Sequence, residues 1–223
     1  MAVAVEELLY KTPRAELEVT HEGLPRTIRG VGAWIMDSET GFVMVVEELQ
    51  DKPATGRKRG EITILFETAK DINGRPEPVI ETVKGALAEG FSDRDAFNNP
   101  TNLPDNLHHF DGFSYHNGLY TKIGNNDIHY GVYMMHYTGP KTGIHPYNGL
   151  EVRDPHWVHP ERLRGSNVRS LTRMTAEHVL DSGIYQQNLQ LARERPDLLV
   201  PVLPSSFLVA DTYRARERYP DMR

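Results

Sequence analysis

Residues 26–49, RTIRGVGAWIMDSETGFVMVVEEL, constrain the fold more than any other stretch. Two β-rich runs flank Asp37-Ser38-Glu39-Thr40-Gly41, a cluster of turn formers, so the segment reads as a β-hairpin. A polar loop, QDKPATGRKRG, follows. Residues 61–67, EITILFE, then read as one short strand in which Ile62, Ile64 and Phe66 alternate. After a second loop, TAKDINGR, Pro76 suits a first helical turn; Val79, Ile80, Val83 and Leu87 recur at helical spacing, and Gly90 offers a C-terminal stop.

Asn, Asp and Pro crowd residues 92–112, which predicts an irregular insertion long enough for a functional loop or a partner contact. Strand character returns at 127–139 (DIHYGVYMMHYTG) and 150–154 (LEVRD). Helices are expected over 167–180, 184–195 and 205–218, with Pro196, Pro201 and Pro204 punctuating the last gap. Strands, one helix, more strands and then helices make an α+β chain without the alternation of a doubly wound sheet. Its 223 residues suit one domain with elaborations.

A formal charge of −6 argues against a protein built to grip nucleic-acid backbones, although GRKRG at 56–60 is a local basic cluster within reach of a ligand's phosphates. With no cysteine, disulfides, thiolate nucleophiles and cysteine zinc sites are excluded. The first residues carry acids rather than a basic leader, and no apolar run nears the roughly 18 residues of a membrane span. The expected setting is the cytoplasm, with no membrane partner.

The order hairpin, strand, loop, helix ending at a glycine, long strand, and then VRDPHWVHPERL at 152–163 resembles the Nudix family. The closing segment matches that family's recurrent Trp-Val-x-Pro-Glu-x-Leu, and DIHYGVYMMHY resembles its long central strand. The resemblance implies a mixed sheet flanked by helices over residues 26–180. Residues 1–25 would be an N-terminal extension and 181–223 extra C-terminal helices suited to homo-oligomer contacts. It also implies a helix whose glutamates hold magnesium or manganese against a pyrophosphate.

That box is degenerate here. With Glu77 as the early glutamate, Lys84 falls on the arginine, Gly85 on the glutamate beside it, and Ala88 and Glu89 on the Glu-Glu pair. Of the three box glutamates only Glu89 survives. Glycine within a helix costs about 1 kcal/mol relative to alanine, so Gly85 suggests that a backbone or a ligand approaches closely there.

Three functions follow as expectations. The first is a catalytically impaired Nudix-like protein that binds a nucleotide-like or phosphorylated small molecule, or acts as an assembly module. Its cleft would lie between sheet and helix, with Glu67, Lys84, Tyr130 and His136 as ligand-binding candidates. The second is an active pyrophosphohydrolase using Mg2+ or Mn2+, with Glu89 as catalytic metal ligand completed by Glu67 or Glu81. The third is a scaffold that uses residues 97–110 and the last helices.

Ten histidines also invite a metal reading, above all HHFDGFSYH at 108–116. Adjacent histidines in a strand face opposite ways, and the spacing matches no zinc signature. His129 and His136, seven apart, also face opposite sides of their strand. No Gly-x-Ser-x-Gly, Gly-x-x-x-x-Gly-Lys or Gly-x-Gly-x-x-Gly motif occurs.

Overall fold

In the computed structural model, which describes residues 26–72, 75–91, 103–144 and 151–202, the opening segment forms β1 (Arg26–Asp37) and β2 (Val43–Glu48). The Asp37 carboxylate shapes the turn between them, accepting from the Glu39 amide and the Thr40 hydroxyl. Residues 61–67, expected as one strand, are divided at Ile64. β3 (Ile62–Thr63) pairs with β2, whereas β4 (Leu65–Thr68) pairs with β1.

The loop expected before the first helix contains a small hairpin, β5 (Asp71–Ile72) and β6 (Arg75–Pro76). Pro76 therefore ends a strand, and α1 (Val79–Phe91) begins just after Pro78. The Glu77 carboxylate accepts from the Thr82 hydroxyl at 3.2 Å, which fastens this entry. Gly90 lies inside α1 instead of stopping it. A Cβ there would sit 2.9 Å from Leu65 Cδ1, so glycine is what lets the helix lie on β4.

The second half supplies β7 (Leu107–Phe110), β8 (Tyr115–Ile123), β9 (Asn126–Tyr137), β10 (Val152–Val158), α2 (Ser170–Asp181), α3 (Ile184–Glu194) and β11 (Leu199–Pro201). Residues 103–110 correct the irregular reading of that stretch, because Leu103 and Leu107 are fully buried and β7 joins the sheet. Residues 92–102 of the expected insertion, the N-terminal extension and the 205–218 helix lie outside the described residues.

The main sheet runs β10-β2-β1-β9-β7-β11, with β3 on β2, β4 on β1 and β8 on β9. It is mixed, since β1 and β9 run parallel in register from Arg26↔Asn126 to Asp37↔Tyr137 while the other pairings are antiparallel. Strand alternation divides the core between two faces. Val31, Ala33, Ile35, Tyr133 and Met135 pack with Val83, Leu87 and Phe91 of α1. Trp34, Met36, Val132 and Met134 pack with Ala176 and Val179 of α2 and Leu189 of α3. Helices thus flank both faces of the sheet, the α+β arrangement expected from the order of elements.

Candidate binding site at the fork of the sheet

β2 touches β1 only at Met36↔Val43, and beyond that point the two strands part. The chain bridges the gap by pairing Ile62 and Thr63 with β2 and then Leu65 to Thr68 with β1. The changeover leaves the Ile64 amide outside both ladders, and the Thr172 hydroxyl of α2 accepts from it at 3.2 Å. Thr172 also lies 2.8 Å from the Thr63 hydroxyl. The segment leading into α2 pairs beside β3, where the Arg169 amide donates to the Ile62 carbonyl and the Ile62 amide to the Asn167 carbonyl. Arg169, the N-cap residue of α2, is thereby set over the fork.

A buried carboxylate meets it there. Glu48, the last residue of β2, is completely covered, and its Oε1 accepts from Arg169 Nη1 at 3.1 Å. Arg57 Nε lies 3.4 Å from the same oxygen. Oε2 of Glu48 and Nε of Arg169 are buried without a hydrogen-bond partner. Burial acts against both charges: it raises the Glu48 pKa despite Arg57 and Arg169, and it pushes Arg169 down to about 10 despite Glu48. Arg169 remains a cation at neutral pH. It donates further to the Thr55 carbonyl at 3.2 Å and lies 5.0 Å from the centre of the Phe66 ring.

The loop after β2 provides the rest. Lys52 and Arg57 exchange backbone hydrogen bonds across a tight turn that closes at Gly56, whose φ of 64° favours glycine. Both side chains reach Glu151, just ahead of β10, with Lys52 Nζ 2.6 Å from Oε1 and Arg57 Nη1 2.9 Å from Oε2. Although burial raises the pKa of Glu151, these hydrogen bonds bring it below the usual carboxylate range. The charged groups line two adjoining hollows, an outer cleft of about 230 Å³ with Phe66 and Tyr130 in its wall and an inner one of about 30 Å³ reaching Ala86 and Gly90 of α1.

Of the residues expected to act, Glu67 and Tyr130 line this cleft. Tyr130 is buried, donates to the Leu171 carbonyl at 3.3 Å and meets Phe66 edge-on. Lys84 and Glu81 lie elsewhere, paired with each other at 3.0 Å along α1. His136 is completely buried, with its ring against Phe110 and both ring nitrogens lacking hydrogen-bond geometry. The side chain of Glu89 lies outside what the structure describes.

His108 and His109 do diverge, His109 Nδ1 meeting the Tyr133 hydroxyl at 2.7 Å and His108 facing Thr138. From GRKRG, Arg57 turns into the cleft while Lys58 and Arg59 stay exposed. Sequence reasoning missed Glu48, Lys52 and Arg169 as members of the site. One local sign pointed to Arg169: a cation at a helix start opposes the helix dipole and must find its partner elsewhere.

Gly85 corrects another expectation. The nearest atom to a Cβ built there is Glu67 Cγ at 3.8 Å, an ordinary contact, so no backbone crowds the position. Among the described residues no Mg2+ or Mn2+ site assembles. Gly85 and Ala88 offer no side-chain oxygen, Glu81 is engaged by Lys84, and no three His, Asp or Glu side chains among the described residues converge.

No protein-family model matches the chain, and no curated protein does. Among solved structures, the chain is similar to a MutT Nudix hydrolase from Burkholderia pseudomallei at 13% identity and a TM-score of 0.46, covering 69% of this chain and 98% of that one. A Nudix hydrolase from M. smegmatis, RenU, matches at 13% identity and 0.45 over 71% of this chain and 85% of its own. A MutT protein from Methanosarcina mazei Go1 matches at 12% and 0.44, over 73% and 98%. At these identities and TM-scores the likeness says nothing of the acting residues, which are argued from this molecule alone. No helix among the described residues is long and apolar enough to cross a membrane.

Proposed function

We propose that the cleft at the fork binds a nucleotide-like or otherwise phosphorylated small molecule and does not hydrolyse it. The observation that carries this reading is the convergence of Lys52, Arg57 and Arg169 on one cleft beside the aromatic rings of Phe66 and Tyr130. Guanidinium and ammonium groups suit phosphate oxygens, and an aromatic wall suits a flat or apolar remainder. At about 230 Å³ the cleft is smaller than the roughly 300–1,000 Å³ usual for drug-sized ligands, so it suits the charged end of a ligand whose remainder lies in the mouth. Hydrolysis is left out of the reading because α1 presents Gly85 and Ala88 where a pyrophosphohydrolase of this kind would present carboxylates.

Nucleoside diphosphates, ADP-ribose and dinucleoside polyphosphates, each incubated with the full chain and Mg2+ or Mn2+, test it by two readouts. A ligand at about a hundred times its Kd should raise Tm by roughly 5–10 °C, while chromatography detects no product. Metal-dependent product lost in Glu89→Gln would overturn the reading in favour of an active enzyme. Neither stabilisation nor product would point to a scaffold.

A further inference from the structure

Resting on that reading, we propose that Lys52 and Arg57 form a seat for a phosphate-class dianion and that the chain's own Glu151 occupies this seat until ligand displaces it. Each oxygen of Glu151 meets a different cation, Lys52 at 2.6 Å and Arg57 at 2.9 Å. Two oxygens of one phosphate can satisfy two such donors in the same way. The seat does not depend on its occupant. The Arg57 side chain is only 14% exposed and is also held by Glu48 at 3.4 Å, and Glu48 is in turn anchored by Arg169. Lys52 and Arg57 are joined through their backbones, so the two residues that carry the donors keep their spacing when Glu151 leaves.

The occupant is more loosely held. Side-chain exposure is 36% for Glu151 and 43% for Lys52, the solvent-screened setting in which an ion pair contributes little. Charge decides what can replace it. Around the two hollows, Lys52, Arg57 and Arg169 are matched by Glu48, Glu67 and Glu151, so the lining is neutral with Glu151 seated and has one cation in excess once it leaves. A monocarboxylate would merely exchange like for like. A phosphate or pyrophosphate group brings more charge and more acceptor oxygens to the same donors.

Calorimetric titration of the full chain with inorganic pyrophosphate, at low salt and with chelator present, tests this seat. Glu151→Gln should bind roughly fivefold or more tightly than the wild type, and Lys52→Gln should bind more weakly than either. Glu47→Gln is the control, since it removes the same charge from the Glu47–Arg153 pair on the neighbouring strand register and should bind like the wild type. Circular dichroism melts verify that each variant is folded. Equal affinity in Glu151→Gln and wild type, or equal tightening in Glu47→Gln, would overturn the placeholder while leaving a phosphate-binding cleft standing. Stabilisation by a nucleotide without any pyrophosphate binding would overturn the seat alone. If neither pyrophosphate nor the nucleotide panel binds, the seat and the proposed function fall together.

Discussion

At the scale of single residues, Gly85 and Gly90 of α1 differ in what a Cβ would meet. Inside a helix glycine is unfavourable, and a close approach would have justified it, yet the space beside Gly85 admits a methyl group. Gly85→Ala should therefore stabilise the protein by about 1 kcal/mol, raising Tm by roughly 2–4 °C in thermal melts. A lower Tm would mean that something packs against α1 more tightly than Glu67 does. Gly90, in the same helix, shows the opposite case: a Cβ would meet the Leu65 side chain at 2.9 Å, so glycine there answers to packing. Nothing in the sequence says which of the two is crowded, because that depends on the neighbour across the gap.

Among elements, the link that matters most joins α2 to the fork. The bend at Ile64 takes one strand's worth of chain from β2 to β1, and its unpaired amide is tolerated because Thr172 accepts from it. Both Thr63 and Thr172 are buried, so water cannot take over that role without opening the packing. Thr172→Val keeps the volume and removes the acceptor, which should cost roughly 1–3 kcal/mol, read as a lower midpoint in urea denaturation. An unchanged midpoint would show that the fork holds without α2. Ile62, Ile64 and Phe66 alternate onto one face as the sequence predicts, and all three pack on the α2 side. That periodicity carried no sign of the bend, because the side chains keep alternating while the backbone partner changes.

For the molecule as a whole, burial of His136 predicts a loss of stability in acid. Burial pushes His136 down to about 4, with His108 adding to the effect and Asn188 opposing it. The unfolded chain takes up a proton on such a ring near 6.5 and the folded chain only near 4. Stability is thus fully present above about pH 6.5 and is lost as the pH falls towards 4, by on the order of 3 kcal/mol from this group. Burial lowers His109 and His116 too, which adds in the same direction. Glu48 works the other way: its raised pKa gives a contribution present below the ordinary carboxylate value and lost as pH rises through the folded one. Melting curves between pH 7 and 4.5 should fall less steeply for His136→Leu than for the wild type, and parallel curves would assign the acid response to other groups. Local periodicity was enough for β1, β2, β9 and most of the span of α1, α2 and α3, because a strand or helix declares its buried face within a few residues. The identity of Gly85 and Ala88 within α1 is likewise read from the sequence directly. The parting of β2 from β1, the extension of the sheet by β7, β8 and β11, and the meeting of Glu48 with Arg169 across 121 residues of chain came from the folded chain. Those pairings depend on the burial and hydrogen bonding of distant partners, which no local window of the chain contains.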